Sequence, residues 1–203
     1  MSTKRKLQKE LTRERIIAAA FKVYSEQGFT AAASAIAHEA GVSQGSIFVH
    51  FPTVDSLVLC LLDSFSQDLR NEILALEDSG GDIERLLDMH IGVLIKHEAF
   101  YTRLITEAAL LPQEAKHELV AIQSTVSIHF MQALEPQMKT GTVKGIPFHM
   151  IFNTWLGLVH YYLMNADLFA PHDSVLTRHK RTLTKTFLAL IENRTLKNKE
   201  EQQ

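Results

Sequence analysis

Residues 36–51 read IAHEAGVSQGSIFVHF, and this stretch decides the fold because it divides into two short apolar segments around a glycine. We predict short helices over 34–40 and 44–51. Gly41 accepts the left-handed backbone of a tight turn, and Ser43 supplies a hydroxyl that caps the second helix. Two short helices around such a turn form a helix-turn-helix. The candidates for packing between the helices are Ile36, Ala37, Ala40, Val42, Ile47 and Phe51.

The outward face of the second helix carries side chains that can contact a DNA base pair. A glutamine pairs with adenine through its amide, a serine reaches a base or a phosphate, and a glycine lets the backbone approach the groove. The residues predicted to face outward are Gln44, Gly45, Ser46, Val49 and His50. The segment 44–51 is therefore a candidate recognition helix.

The rest of the chain predicts an all-α fold. Apolar residues recur three and four apart almost throughout, and no run alternates apolar and polar residues between turn signals as a strand would. The first helix ends at Gly28, and a long fourth helix ends before Ser79-Gly80-Gly81. Besides the two short helices, we predict helices over 11–27, 54–78, 82–97, 98–110, 113–138, 147–168 and 173–194.

Composition and charge limit the class of protein. The chain has 203 residues, of which 46% are hydrophobic and 22% charged, and this supplies an ordinary buried core. Cys60 is the single cysteine, which excludes an intrachain disulfide, a cysteine zinc site and a CxxC redox motif. Residues 1–60 carry seven basic and five acidic residues, whereas residues 61–203 carry 14 and 18. The first segment can meet an anionic partner that the rest of the chain repels.

Targeting and membrane signals are weak in this sequence. The N-terminal residues MSTKRKLQKELTRER are charged and are not followed by an apolar segment with a cleavage site, so they do not resemble a signal peptide. The most apolar stretch, 146–164, is interrupted by His149, Asn153 and His160, which favours a buried helix over a membrane span. We expect a cytoplasmic protein with no membrane contact.

The sequence carries no constellation typical of an enzyme or a metal site. It has no phosphate-binding loop and no glycine-rich dinucleotide loop. There are ten histidines, but neither His38-Glu39 nor His97-Glu98 continues into an HExxH motif. Cys60 has no basic neighbour in sequence and reads as a small buried hydrophobe. We therefore predict no catalytic residues, no metal and no cofactor.

Residues Thr12–Leu62, which contain TRERIIAAAFKVYSEQGF and IAHEAGVSQGSIFVHFPTVDSL, resemble the DNA-binding domain of the TetR family of bacterial transcriptional regulators. The resemblance implies a three-helix DNA-binding domain over 1–53 and a helical effector-binding and dimerisation domain over 54–203. It also implies a homodimer on a palindromic double-stranded DNA operator. A small-molecule effector in the C-terminal domain would release that operator, so the implied function is a ligand-responsive repressor.

Carried over to this sequence, the resemblance implies base contacts by Gln44, Gly45, Ser46 and Val49 and a phosphate contact by His50. Two departures from the family pattern weaken the expected DNA contacts. Phe48 stands where the family usually has a phosphate-contacting tyrosine, and Val54 stands where it usually has a lysine.

The departures leave two alternatives open. The basic residues Lys4, Arg5 and Lys6 either supply the missing charge on DNA or form a disordered, solvated tail. The alternative function is a helical small-molecule binding or interaction protein with weakened DNA contacts. A third departure, Ala31-Ala32-Ala33, removes the usual hydroxyl before the second helix, so we expect Ser34 or Thr30 to cap it.

Aromatic and methionine side chains from several C-terminal helices could line a pocket for an apolar or aromatic effector, with a few polar groups among them. The alternative for each is plain core. The candidate ligand-binding residues are Phe65, Met89, His90, Phe100, Phe130, Asn153, Trp155 and Tyr161.

The helix predicted over 147–168 is apolar on almost every side, and the last helix carries leucine and phenylalanine at heptad-like spacing. A helix that is apolar all round must be covered on both faces, so one face is expected to meet a second copy. The alternative is burial inside one subunit. The candidate interface residues are Phe148, Phe152, Val159, Leu183, Phe187 and Leu190.

Overall fold

The computed structural model describes residues 2–78 and 82–193. Within them the regular structure is helical, which confirms the predicted all-α class, and one isolated bridge joins Val143 to Glu192. The helices are α1 (Ser2–Gln27), α2 (Ala33–Ala40), α3 (Gln44–His50), α4 (Val54–Asp78), α5 (Ile83–Lys96), α6 (Glu98–Thr106), α7 (Gln113–Thr140), α8 (Phe148–Met164), α9 (Ala166–Phe169) and α10 (Val175–Ile191), with a 3-10 turn at Ala108–Leu110.

The chain forms two compact units, and the divisions between them fall inside helices α4, α6 and α7. The first unit contains residues 1–67 and 99–120, and the second contains 68–98 and 121–203. Among the described residues, no single helix is long and apolar enough to span a membrane; α3 and α4 reach that length and composition only as a pair bent by 62°.

The first unit is built on α1, which packs against α2, while α2 packs against α3. Its core includes Ile16, Tyr24 and Ile36, all fully buried. The predicted start of α1 near residue 11 was wrong, because the helix begins at Ser2. Residues 2–10 contain no glycine or proline and are rich in Lys, Arg, Gln and Glu, which favour a helix.

Aromatic side chains close the first unit around the end of α1. Phe21 and Phe29 both contact Phe100 of α6, with ring centroids 4.8 and 5.8 Å away, and Tyr24 stacks on Phe29 at 5.1 Å. Phe100 is 2% exposed. It lies in this aromatic core, and its predicted role in lining an effector pocket stays a prediction.

The second unit has its own aromatic core between α7, α8 and α10. The Phe130 ring meets Phe152 at 5.4 Å and Phe187 at 5.8 Å, and Trp155 lies 5.2 Å from Phe187. All four side chains are buried, and each contributes about 1.5–3 kcal/mol by leaving water. Phe130 and Trp155, predicted as ligand-binding residues, therefore pack on other side chains of the same chain.

The second core also corrects the predicted dimer interface. Phe152, Val159, Leu183 and Phe187 are buried within the single chain, as the alternative had it, and are not available to a second copy. Periodicity identifies apolar residues but does not reveal how many neighbours cover them. The two other candidates remain accessible: Phe148 is half-buried, and Leu190 is 50% exposed.

A buried hydrogen bond joins two residues that were predicted to line the effector pocket. The Trp155 Nε1–H donates to His90 Nδ1 over 3.1 Å. Burial, with a smaller contribution from the charge of His160, lowers the pKa of His90 to about 4, so the ring is neutral and accepts this bond. The two polar groups satisfy each other in the folded chain.

The N-terminus of α10 is held by a carboxylate from the start of α6. Glu98 Oε1 accepts the backbone N–H of Val175 at 2.9 Å, and Oε2 accepts the N–H of Leu176 at 3.2 Å. The Ser174 hydroxyl also donates to Glu98 and accepts the N–H of Thr177 at 3.0 Å. A negative charge at this position suits the helix dipole as well as the free amides.

The depressed pKa of His90 predicts that the chain loses stability as pH falls. The folded pKa of about 4 lies below the usual 6.5, so between these values the unfolded chain binds the additional proton. The associated free energy, on the order of 3 kcal/mol, is present above pH 6.5 and is lost as pH falls towards 4. Urea unfolding of His90→Asn, which keeps an acceptor for Trp155 without the titration, should show a flatter dependence over this range.

The control for this experiment is His172→Asn, because His172 is exposed. It should retain the wild-type pH dependence. An equally steep loss in His90→Asn would contradict the assignment of the acid sensitivity to His90. Burial also lowers the pKa of His160, so a smaller slope is expected to remain in the variant.

Candidate nucleic-acid interface

The turn between α2 and α3 has the geometry that the sequence predicts. Gly41 adopts φ +62°, its N–H donates to the His38 carbonyl at 3.1 Å, and the Val42 N–H donates to Ala37 at 3.0 Å. Ser43 Oγ accepts the backbone N–H of Ser46 at 3.3 Å, so the predicted hydroxyl cap is confirmed. Of the six predicted packing residues, five are buried and Val42 is half-buried.

The predicted cap of α2 was wrong. The helix begins at Ala33 with Ala32 in the capping position, where no side chain accepts a hydrogen bond. Neither Thr30 nor Ser34 takes that role, because the first amides of a helix need an acceptor at the capping position itself. The short helix depends instead on its buried residues, among them Ile36, Ala37 and Ala40.

The α3 helix presents a mixed polar and apolar outer face. Gln44 and Gly45 are exposed, Phe48 is 42% exposed and Val49 is 71% exposed. Ile47 is the buried residue that holds the helix to the first unit. The exposed residues lie on the outside of a helix whose diameter suits a major groove.

Two of the predicted contact residues are half-buried. The Ser46 hydroxyl lies 2.8 Å from Ser43 Oγ, so it takes part in the cap of the helix. His50 Nδ1 is buried and has no hydrogen-bond partner among the described residues. Ser46 and His50 therefore offer less surface to a partner than the neighbouring exposed residues do.

An arginine of α1 holds the turn before α3, and the sequence analysis missed it. One guanidinium nitrogen of Arg15 donates to the carbonyls of Ala40 at 2.9 Å and Gly41 at 3.2 Å. These carbonyls lie at the end of α2, where a helix leaves acceptors unsatisfied. A contact across 25 residues leaves no local pattern that could have revealed it.

A second arginine of α1 joins α3 to α4. The Arg13 guanidinium lies 5.1 Å from the centre of the Phe51 ring, and it donates to Cys60 Sγ at 3.1 Å. Cys60 is half-buried. The prediction of a buried Cys60 was therefore wrong, and the basic neighbour that its local sequence lacks comes from a distant part of the chain.

An ion pair between Arg103 of α6 and Glu107, the residue just after α6, holds the end of α1 within the first unit. Arg103 donates to Glu107 at 2.9 Å and to the carbonyls of Ser25 at 3.3 Å and Glu26 at 3.0 Å. Glu107 Oε2 accepts the backbone N–H of Phe29 at 2.8 Å. The pair thus provides hydrogen-bond partners for two backbone carbonyls and one backbone N–H where α1 ends. We name Arg103 and Glu107 the α6 clamp.

The basic residues at the chain start lie on the surface of α1. Lys4, Arg5 and Lys6 are exposed and helical, so they do not form the irregular tail that one alternative proposed. A helix holds their charges at fixed spacing, 1.5 Å of rise per residue. Their contact with DNA stays a prediction.

The predicted ligand-binding residues do not gather around one cavity. Asn153 is exposed and Tyr161 is 55% exposed, so neither faces the interior of the chain. Phe65 is buried and lies 5.6 Å from the Tyr101 ring. Met89 lines an open groove of about 810 Å³ in the second unit. In the described part of the chain, no group of three or more His, Cys, Asp or Glu residues could hold a metal.

Comparison with known proteins identifies relatives of the first unit and of the whole fold. Residues 16–60 match the model of bacterial regulatory proteins of the tetR family. The uncharacterized HTH-type transcriptional regulator YerO of Bacillus subtilis is 26% identical over 166 residues. That alignment covers 77% of this chain and 56% of YerO, so the chain spans little more than half of the length of this relative.

Solved structures share the fold at lower identity. A TetR-family transcriptional regulator from Agrobacterium tumefaciens superposes with a TM-score of 0.74 at 22% identity, over 91% of this chain and 100% of that one. The regulator FadR from Bacillus subtilis, solved in complex with stearoyl-CoA, gives 0.66 at 17% identity, over 88% and 99%.

The geometry at two glycines predicts different costs for the same substitution. Gly28 and Gly41 both have positive φ, at +80° and +62°, so alanine is strained at either by about 1–2 kcal/mol. A Cβ at Gly28 would also lie 2.5 Å from Glu107 Oε1, whereas a Cβ at Gly41 would have no atom within 4 Å. Gly28→Ala should therefore lose more unfolding free energy than Gly41→Ala in urea titrations.

Thermal melting of Gly28→Ala in a Glu107→Ala background gives the control. Removing the carboxylate removes the collision, so the two glycine substitutions should then cost about the same. Equal losses in the wild-type background would show that the α6 clamp moves aside without penalty.

Proposed function

We propose that the chain is a homodimeric repressor of the TetR family of bacterial transcriptional regulators and that a small molecule releases it from a palindromic operator. The observation that carries the proposal is α3, which is capped, anchored by one buried residue and exposed along its outer face. A helix with these properties can enter a major groove without unfolding its own domain.

In this proposal, Gln44 and Val49 read base edges and Gly45 permits close approach of the backbone. Their exposure supports the assignment. Ser46 reaches DNA only where its hydroxyl can serve the cap and a partner at once, because it already contacts Ser43. Val49 suits the methyl group of thymine, whereas the Gln44 amide suits adenine.

The phosphate contacts of the proposal come from His50 and from the exposed cations Lys4, Arg5 and Lys6 on α1. Phosphate contacts fix the position of a protein on the duplex without reading its sequence. Phe48 contributes an exposed apolar ring in place of a hydroxyl. Cations on the helical start of α1 offset the charge that Val54 does not supply.

Two recognition helices must be held together to read two half-sites about 34–36 Å apart. The exposed face of α8 carries Met150, Thr154, Gly157, Tyr161 and Met164, which are spaced alternately four and three residues apart. This spacing forms a stripe along one side of a helix and suits packing against a second helix. We assign the dimer interface to this α8 stripe, whereas Phe148, on the other side of α8 near Phe130 and Phe152, and Leu190 stay predicted interface residues outside it.

The effector of the proposed repressor binds in the second unit. A structural neighbour was solved with stearoyl-CoA, which supports a ligand-binding role for this fold. A ligand weakens operator binding only as far as it prefers the conformation that does not bind DNA. A coupling of about 1–3 kcal/mol changes operator affinity roughly 5–150-fold.

A second function is favoured by two observations, namely Phe48 and Val54 at positions where a hydroxyl and a cation would strengthen DNA binding. It is a helical small-molecule binding or interaction protein with weakened DNA contacts. Selection of duplexes from a random DNA library separates the two functions. The repressor should enrich an inverted repeat, whereas the alternative function should enrich none.

Gln44→Ala should relax sequence recognition by the proposed repressor. Loss of a bidentate contact to adenine costs on the order of 1–3 kcal/mol, mainly at one base position of each half-site. We expect the affinity ratio between the selected duplex and a scrambled duplex to fall about 5–150-fold for each half-site in fluorescence anisotropy titrations. The exposed Gln132→Ala on α7 is the control. An unchanged ratio in Gln44→Ala would remove Gln44 from the recognition surface.

Gly157→Glu should dissociate the dimer without harming the subunit. A Cβ at Gly157 meets nothing within 4 Å in the chain, and glutamate forms helix better than glycine by nearly 1 kcal/mol. Across the α8 stripe of a dimer, the new charges would be buried without partners. Sedimentation equilibrium should therefore show a folded monomer.

The matched control is Ala121→Glu, at an exposed position of α7. It should remain dimeric, with the wild-type helix content in circular dichroism. A Gly157→Glu variant that sediments as a dimer would refute the α8 stripe as the interface.

A further inference from the structure

A groove of about 810 Å³ opens in the second unit between the end of α4, the start of α5 and the middle of α10. Its volume lies within the range of small-molecule sites. Ala75, Leu76 and Met89 supply apolar lining from α4 and α5, and α10 supplies Thr184 and Lys185. The groove thus combines an apolar surface with a polar one.

Thr184 is a buried polar group that the folded chain leaves unsatisfied. The residue is 6% exposed, and its hydroxyl has no hydrogen-bond partner among the described residues. A buried hydroxyl without a partner costs free energy, because it has lost its water and gained nothing in return. Since Thr184 lines the groove, a polar atom of a ligand can supply the missing bond.

Most of the acidic groups along the groove are already engaged. Glu72 pairs with Lys96, and Asp88 pairs with Lys180 at 2.8 Å. Asp82 caps α5 by accepting the backbone N–H of the third residue after it at 2.9 Å. Glu72 and Asp88 therefore do little to neutralise further cations, whereas Asp82 keeps its negative charge while it caps α5.

Two cations of the groove are left without partners. Arg181 and Lys185 line it from α10, and neither makes an ion pair or a side-chain hydrogen bond within the described ranges. Glu84 and Asp82, both at the start of α5, are the lining carboxylates that remain to oppose them. The balance favours an anionic group on the α10 side.

We propose that this groove binds a small amphipathic carboxylate, whose apolar part lies along Ala75, Leu76 and Met89 and whose carboxylate lies beside Arg181 and Lys185. The Thr184 hydroxyl donates to an oxygen of the ligand. The further statement that this compound is the effector rests on the proposed function. The binding itself does not, because it is a property of the second unit.

Calorimetric titration of the full-length protein with three probes of one chain length tests the binding. The probes are decanoate, 1-decanol and decyltrimethylammonium, each below its micellar concentration. The proposal requires decanoate to bind at least tenfold more tightly than the other two, because only decanoate satisfies the cations. Equal binding of the three probes, or no binding of decanoate, overturns it.

Variants of α10 place the binding in the groove. Arg181→Gln combined with Lys185→Gln should weaken the binding of decanoate at least tenfold. The control is Arg178→Gln, which removes an exposed cation of the same helix outside the groove and should leave the affinity unchanged. Thr184→Val should weaken decanoate several-fold and raise the melting temperature, since it removes the unsatisfied hydroxyl. A double variant that binds decanoate as Arg178→Gln does overturns the assignment.

DNA titrations separate this proposal from the proposed function. If decanoate binds in the groove and weakens the binding of the selected duplex, the result supports both the groove and the repressor. Binding that the double variant abolishes, in a protein that selects no duplex, supports the groove and refutes the repressor. A protein that binds its duplex but not decanoate refutes the groove and leaves the repressor standing.

Discussion

A helix of seven residues cannot sustain itself, and the presentation of α3 depends on this constraint. Nucleating a helix fixes several dihedral angles for a single hydrogen bond, so short helices are marginal without tertiary contacts. The α3 helix gains its contacts from buried Ile47, from the Ser43 cap and from the turn at Gly41. Arg15 of α1 adds two hydrogen bonds to the carbonyls of that turn. The outer face of α3 can remain exposed because the stabilising contacts are made by its buried face and by the cap and turn at its N-terminus.

Contacts between residues distant in sequence also hold the other helices of the first unit. The end of α1 is gripped by the α6 clamp, and aromatic contacts of Phe100 seal the space beside it. The compact unit that contains α3 accordingly includes residues 99–120 as well as the chain start. Substitutions in α6 can therefore alter how α1 holds the turn at Gly41, although α6 lies more than 50 residues away in sequence.

Local signals predicted local structure well in this chain. Gly41 and Ser43 identified the turn and the cap of α3, because both act on backbone groups within three residues. Periodicity also located most helices. It failed at the start of α1, where the charged residues after Ser2 carry no apolar pattern but still favour a helix.

Contacts between distant residues were not predictable. Arg13, Arg15 and the α6 clamp act across 25 to 78 residues, and no spacing rule links such pairs. The second core shows a related difficulty, because Phe187 and Val159 are apolar whether a neighbouring helix or a second copy covers them. Burial in the folded chain distinguishes these cases, and the proposed interface is therefore assigned to the exposed stripe of α8.

The unsatisfied groups of the second unit can be understood as the cost of a binding site. The unsatisfied buried hydroxyl of Thr184 reduces the stability of the empty chain, whereas an apolar group there would increase it. A ligand that satisfies this hydroxyl stabilises the state that binds it, by an amount that grows with its concentration over its Kd. Only the difference in affinity between two conformations can be transmitted to DNA, so tight binding alone does not make an effector. A groove whose walls come from α4, α5 and α10 meets this requirement where a shift between those helices changes the contacts that the ligand makes.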